Sequence, residues 1–252
     1  MKAFILSGGK GSRMQSAIAQ DLPKPLVHLY NKPIIFWNIL SLMRSGFNSF
    51  VIAIGYKGNK IIDYLMSNKF KQHLNEFSFT NDKIVIRFSD AGLEADTGER
   101  LSYFIKSESK ENYLNNFYYF YGDTILLRDI SNYVSLEYLE NKISSSLLID
   151  MLKIKYGIIR IDQNKKIIYF GENKNNDFIN RGGILITKKI IENFYENKYL
   201  SFEKDFLPSF VQNHNVTSFN LEGDSVSFDT DLEIYEFEKK NNFNLFVSNI
   251  IY

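Results

Sequence analysis

The stretch Leu6-Ser7-Gly8-Gly9-Lys10-Gly11-Ser12-Arg13-Met14 sets a glycine cluster and an arginine directly after an apolar run. Glycines at positions 8, 9 and 11 let a backbone turn sharply and bring several N–H groups close to one anion. Arg13 adds a planar, two-pronged donor suited to phosphate. The same glycines suit a plain tight turn, so two readings stand at this point. Two common phosphate patterns do not fit. A P-loop needs Gly-x-x-x-x-Gly-Lys-Ser/Thr, and the stretch from Gly8 to Arg13 has no Gly-Lys-Ser/Thr at that spacing. A dinucleotide fingerprint needs Gly-x-Gly-x-x-Gly; Gly9-Lys10-Gly11 begins one, but Met14 stands at the third glycine.

Three other positions have chemistry to offer. Pro23-Lys24-Pro25 fixes the chain on both sides of one lysine and so holds its ammonium in place; the plain alternative is a stiff loop with a solvated lysine. Asp123 follows Gly122 at the end of the aromatic run Phe117 to Tyr121. A carboxylate at the carboxyl end of a parallel strand lies where α/β sheets bind ligands. Asp229 precedes a helical pattern and supplies a second carboxylate. Magnesium takes a few carboxylates together with phosphate oxygens and waters. The plain readings are a turn residue for Asp123 and a helix cap for Asp229, with Thr230 competing for the cap. His28, His73 and His214 do not cluster; His28, near Lys24, is expected to pack or face solvent. Trp37 lies among Ile34, Ile35, Ile39 and Leu40 and reads as core. The pairs Lys165-Lys166 and Lys239-Lys240 read as solvated.

These residues need a scaffold, and the chain offers alternating strands and helices. Ala3 to Leu6, Phe50 to Ile54, Ile84 to Phe88 and Phe117 to Tyr121 read as strands. Pro33 to Met43, Asn59 to Met66, Gly98 to Ile105 and Ser131 to Glu140 read as helices. Alternation of this kind predicts parallel βαβ units with helices on both faces. The second half is richer in strands: Ser146 to Lys153, Gly157 to Ile161, Lys166 to Phe170 and Gly183 to Thr187. A short helix is expected near Phe202 to Val211 and a last one over Asp231 to Lys240, where Thr230 and Glu233 fit a capping box.

The glycine stretch, Pro23-Lys24-Pro25 and Asn31-Lys32-Pro33-Ile34, taken with their spacing, resemble the sugar-phosphate nucleotidyltransferases. Within that superfamily the chain is most similar to the glucose-1-phosphate cytidylyltransferases. Gly55-Tyr56-Lys57-Gly58 with Ile61 and Tyr64, Asp90-Ala91-Gly92, Thr97-Gly98-Glu99-Arg100-Leu101, Tyr121-Gly122-Asp123, Tyr156-Gly157, Ile179-Asn180 with Gly182, and Asp229-Thr230 follow that group's order. Glu99 stands where the group usually has glycine. The resemblance implies a three-layer α/β/α, Rossmann-like fold with a mixed, mostly parallel central sheet. It implies one nucleotidyltransferase domain over 1–252, with a nucleotide-binding half (1–130) and an acceptor-binding half (131–252).

The implied reaction joins CTP to a phosphorylated acceptor such as glucose 1-phosphate, giving a CDP-linked product and pyrophosphate. By resemblance, Leu6, Gly8, Gly9, Gly11, Ser12, Arg13, Lys24 and Arg100 bind the nucleotide. Arg13 and Lys24 are the catalytic cations, at the leaving phosphates and the α-phosphate respectively. Asp123 and Asp229 would hold Mg²⁺. Glu172, Lys174, Asn180 and Arg181 face the acceptor. Here the sequence departs from the family: Asn173 stands where a lysine grips the acceptor phosphate, and Lys174 lies one position on. Arg181 stands where the group has glycine, and either restores the lost charge or is a surface arginine at a strand start. A non-sugar acceptor such as phosphoglutamine in capsule modification, and GTP or UTP as the nucleotide, are the alternatives. Further ones are a non-catalytic nucleotide-binding domain and a dehydrogenase, the second opposed by the missing third glycine.

Composition bounds the classes. Thirty Lys+Arg against 29 Asp+Glu leave a formal charge of +1, so no global field attracts nucleic acid or an anionic membrane. Without cysteine there is no disulfide, thiolate metal site or thiol nucleophile. No apolar run approaches the roughly 20 residues that span a bilayer, and Gly8 and Gly9 end the first apolar run too soon for a signal peptide. The expectation is a cytoplasmic enzyme with small-molecule partners, with room for a homo-oligomer.

Overall fold

A computed structural model describes residues 1–9, 22–79, 84–109, 115–134, 143–152, 158–171, 177–195 and 199–251. Strand β1 (Lys2–Leu6) comes first. A 3-10 turn (Lys24–Leu26) and the two-residue strands β2 (His28–Leu29) and β3 (Lys32–Pro33) lead into helix α1 (Ile34–Arg44). Next come β4 (Ser49–Ile54), α2 (Gly58–Leu65), α3 (Asn68–Glu76), β5 (Val85–Asp90) and α4 (Thr97–Ser109). They are followed by β6 (Phe117–Tyr121), β7 (Thr124–Leu126), α5 (Ser131–Val134), β8 (Ser145–Met151), β9 (Ile158–Ile161), β10 (Ile167–Gly171) and β11 (Phe178–Ile186). The chain continues through α6 (Lys188–Tyr195), a π-helical turn (Phe202–Phe206), α7 (Leu207–Asn213), β12 (Val216–Asn220), β13 (Ser225–Ser227), α8 (Asp231–Lys240) and α9 (Phe243–Ile251).

Seven strands form the central sheet in the order β12-β8-β11-β6-β1-β4-β5. β6, β1, β4 and β5 run parallel, as do β12 and β8, while β11 is antiparallel to both of its neighbours. The sheet is therefore mixed and mostly parallel, with helices on both faces. Strand side chains alternate between faces with a period of two. Ala3, Ile5, Phe50, Ile52, Tyr118 and Phe120 enter the core shared with α1, α2, α3, α8 and α9. Phe4, Val51, Ala53, Phe117 and Tyr119 enter the second core, with α4, α6, the π-helical turn and α7. Both faces are covered, which is why these strands read as near-continuous apolar runs. Among the described residues, no helix is long and apolar enough to cross a membrane.

The register lines up the ends that matter. Leu6 pairs with Ala53 on one side and with Tyr121 on the other. Gly8, Gly55 and Gly122 thus emerge together at the carboxyl edge of the parallel strands. A second, two-stranded sheet pairs β13 with β7, Ser227 opposite Thr124. This pairing carries Asp229 to the side of Asp123.

Several sequence expectations change. Asp231–Lys240 is not the last helix: α9 follows it, with Phe246 and Ile250 buried. Its face packs against Trp37 and Tyr30, an apolar target that local pattern does not reveal. The helix near Phe202 begins as a π-helical turn before α7. β11 starts at Phe178 rather than Gly183, so Arg181 lies inside the strand and not at its start. Helices α3 and α6 and strands β2, β3, β7, β12 and β13 are additions, each short. Of the predicted helix Ser131 to Glu140, Ser131–Val134 is helical and the rest lies outside the described residues.

Candidate active site

Lys24 begins the 3-10 turn, held by Pro23 in an extended conformation on one side and by buried Pro25 and Leu26 on the other. Its Nζ lies 2.5 Å from Asp123 Oδ2 and 3.0 Å from Asp229 Oδ1. Its side chain is only 15% exposed, so it is not a solvated surface lysine. The ammonium therefore sits between two carboxylates from distant parts of the sequence. Around it Leu6, Ser7, Gly9, Pro25, Tyr121, Gly122 and Asp123 line a cavity of about 220 Å³.

Each carboxylate is placed by backbone. Asp123 sits in the two-residue turn between β6 and β7. Asn38, buried in the middle of α1, donates its amide to Tyr121 O at 3.0 Å and Thr124 O at 2.5 Å, on both sides of that turn. Asp229 is freed from capping because Thr230 is the N-cap of α8: Thr230 Oγ1 accepts from Glu233 N–H, and Glu233 accepts from the Thr230 and Asp229 N–H groups. Because both carboxylates converge on one cation, the pair fits a divalent ion that takes its other ligands from phosphate and water. Among the described residues, no group of three or more His, Asp or Glu gathers to hold a metal.

A second cavity of about 350 Å³ adjoins the first at Leu6 and Gly9 and is lined also by Gly8, Leu93, Glu94, Ala95, Asp96, Thr97 and Arg100. Arg100 is 4% exposed and donates to the carbonyls of Ile54 (2.5 Å), Leu93 (3.3 Å) and Gly8 (3.5 Å). Burial pulls its pKa down, against the nearby charges of Asp90, Asp96 and Glu99. A Cβ on Gly8 would lie 2.5 Å from the Arg100 guanidinium carbon, so a side chain there would have to displace the arginine. Glu99 has a structural duty: it accepts from Asp96 N–H at 2.9 Å and closes the first turn of α4.

On the acceptor side, Asn180 Nδ2 donates to the Tyr121 hydroxyl at 2.9 Å, and its Oδ1 accepts from Gly182 N–H at 3.0 Å. That places Asn180 beside the first cavity. Arg181, the next residue in the strand, is not among the residues lining that cavity. Its Nε lies 3.7 Å from buried Asp150, and its Nη1 donates to Ser227 Oγ at 2.9 Å. Gly11, Ser12, Arg13, Glu172 and Lys174 lie outside the described residues. Of the other sequence candidates, Leu6, Gly8, Gly9, Lys24, Arg100, Asp123, Asp229 and Asn180 come together along one edge of the sheet.

Sequence reasoning overlooked Asn38, although a lone amide inside the apolar helix Ile34–Leu42 is a signal for a buried polar tie. It also overlooked Glu203, which accepts hydrogen bonds from Tyr119 and Thr97 behind the cavity.

The model of the family described as "Nucleotidyl transferase" matches residues 2–225. A "Probable glucose-1-phosphate cytidylyltransferase" of Bacillus subtilis is 24% identical over 253 aligned residues, covering 96% of each chain. A D-glycero-alpha-D-manno-heptose 1-phosphate guanylyltransferase of Campylobacter jejuni is 31% identical, covering 81% of this chain and 84% of that one. The crystal structure of HddC from Yersinia pseudotuberculosis superposes with a TM-score of 0.67 at 24% identity, covering 95% of this chain and 98% of the other.

Proposed function

The chain belongs to the nucleotidyl transferase family, and from that premise we propose that it transfers a nucleoside monophosphate, CMP from CTP, to the phosphate of a sugar 1-phosphate with release of pyrophosphate. The observation that carries the reading is Lys24 held between Asp123 and Asp229 at the cavity that Gly9 also lines. An acceptor phosphate oxygen attacks the α-phosphorus; the new P–O bond forms as the bond to the pyrophosphate oxygen breaks in line. Two polyanions must meet, so the site needs positive charge and fixed donors rather than a strong base. Lys24 stabilises the charge that develops on the α-phosphate. The N–H groups from Gly8 to Ser12 cradle the nucleotide after Leu6, and Arg13 binds the leaving phosphates. Arg100, its donors spent on backbone carbonyls, holds the loop against β4. Asp123 and Asp229 would hold Mg²⁺, which when bound neutralises phosphate charge. Asn180 meets the acceptor, and Glu172 and Lys174 are assigned to the same substrate. Lys174 takes the acceptor phosphate, since the Arg181 guanidinium is engaged by Asp150 and Ser227.

The cytidylyl reading is supported by the Bacillus relative, which the chain matches from end to end. GTP is the second reading, favoured by the higher identity to the heptose 1-phosphate guanylyltransferase. Pyrophosphate release from each of four nucleoside triphosphates, against a panel of sugar 1-phosphates and non-sugar phosphates including phosphoglutamine, tests both. Release with CTP and a sugar 1-phosphate is expected. Release only with GTP shifts the base, release only with a non-sugar phosphate shifts the acceptor, and none with any pair overturns the reading.

A further inference from the structure

The contacts of Arg181 lead away from the acceptor and toward Asp229. Asp150, in β8, is 2% exposed, and a carboxylate that deeply buried is costly unless it is paired. Its Oδ1 accepts from Gly223 N–H at 2.8 Å and its Oδ2 from Ser225 Oγ at 3.1 Å. The carboxylate therefore ties down the turn into β13 and the first residue of that strand. Arg181, in β11, supplies the countercharge: its Nε stands 3.7 Å from the same Oδ2, as an ion pair rather than a hydrogen bond. The other end of the guanidinium, Nη1, donates to Ser227 Oγ at 2.9 Å, at the last residue of β13.

We propose that Arg181 is a positioning residue for Asp229: paired with Asp150, it holds β13 against β7 and so keeps the second carboxylate beside Asp123. The inference rests on the nucleotidyl transfer proposed above, in which those carboxylates take the metal. A two-stranded ribbon is marginal by itself in water, and the β7–β13 pairing is three residues long. Its register needs further anchors. In a strand, residues two apart share a face. Ser225 and Ser227 present one face of β13 to Asp150 and Arg181, while Val226 packs on the core and Phe228 is buried. Asp229 follows two residues after Ser227, with its Oδ1 3.0 Å from Lys24 Nζ. On its other side the chain is fixed by the α8 cap, where Glu233 accepts from Asp229 N–H. Arg181 thus anchors the approach to Asp229, and the α8 cap anchors the exit.

The test uses the full chain and two variants. Arg181→Ala leaves Asp150 buried without its countercharge. Ser227→Ala cuts only the last contact and keeps the ion pair, so it probes the same link with little risk to folding. Mn²⁺ binding is followed by EPR in the presence of the α,β-methylene analogue of the triphosphate that gives pyrophosphate. It should weaken about ten-fold in Arg181→Ala, the scale of one lost hydrogen bond to a charged group, and less, in the same direction, in Ser227→Ala. In an Asp229→Asn background Arg181→Ala should weaken Mn²⁺ no further, because its effect passes through that carboxylate. At saturating Mg²⁺, KM for the acceptor should stay near wild type. Amide exchange at Leu127, whose N–H bonds Asp224 O at 2.9 Å beside the β7–β13 pairing, should quicken in Arg181→Ala, while exchange in the β1–β4 pairing should not. Unchanged Mn²⁺ affinity, a full loss that persists in the Asp229→Asn background, unchanged exchange at Leu127, or a selective rise in acceptor KM each overturn the inference, the last by returning Arg181 to the acceptor phosphate. A wild-type chain that releases pyrophosphate from no pair overturns the transfer reading and the metal role with it; exchange at Leu127 needs no substrate and still reports whether Arg181 holds β13.

Discussion

Asp123 and Asp229 would repel each other without a cation between them, and Lys24 supplies it. In the proposed reaction the same ammonium would face the charge that grows on the α-phosphate. Only an interaction stronger in the transition state than in the ground state accelerates the step. Lys24→Ala should therefore lower kcat by about 100-fold or more, the scale of losing one preorganised donor, with a smaller change in KM for the triphosphate. Steady-state kinetics separates the two, and a change in KM alone would make Lys24 a ground-state binder. Asp123→Asn keeps the shape and removes the charge, so turnover should vanish while the melting temperature holds; near-normal activity would remove Asp123 from the metal pair. Asn38 acts one layer further out. Asn38→Leu leaves the carbonyls of Tyr121 and Thr124 without their donor, at a cost of about 1–3 kcal/mol. Urea unfolding should show that loss, and kcat should fall with it because the turn holding Asp123 is no longer tied.

Elements set how closely these residues approach, and the start of α4 is the tightest case. Gly98 N–H donates to Leu200 O at 2.8 Å, and a Cβ at position 98 would lie 2.7 Å from the carbonyl oxygens of Tyr199 and Leu200. Alanine is the better helix former by about 1 kcal/mol, yet overpacking against fixed backbone costs about 1–3 kcal/mol. Gly98→Ala should thus destabilise, read as a lower urea midpoint, and should raise KM for the triphosphate because Thr97 and Arg100 ride on the same helix. Stabilisation would mean that the Tyr199–Leu200 segment yields easily. This scale also explains what the sequence could reveal. The Thr230–Glu233 capping box is local, so neighbouring residues suffice to predict it. The meeting of Asp123 with Asp229 depends on β7 pairing with β13, two three-residue strands too short to show a period of two. The Glu203 cluster joins α4, β6 and a π-helical turn, and no spacing within one element encodes it. Arg181 shows the converse: its charge was legible, but the partner that engages it, Asp150, lies on the neighbouring strand.

Across the whole molecule, a formal charge of +1 conceals local charge, since Lys24 is balanced by Asp123 and Asp229 beside it. Stability is concentrated elsewhere. Helix α9 closes the core on the α1 face, where the Phe246 ring lies 5.0 Å from both Trp37 and Tyr30 and 5.8 Å from Phe237. No residue of α9 lines either cavity at the glycine loop. Phe246→Ala removes a buried ring from this cluster and should cost about 3–5 kcal/mol, a large share of the 5–15 kcal/mol or so by which a typical domain is stable. The melting temperature should drop accordingly. Measured well below that temperature, kcat should stay within about two-fold of wild type, because distant sites that share no partner act independently. The link that could break this independence is α1, which carries Trp37 toward α9 and Asn38 toward the Asp123 turn. A fall in kcat while circular dichroism still shows a folded chain would mean that α9 sets the pose of α1, and that the far face of the molecule reaches Asp123 through Asn38.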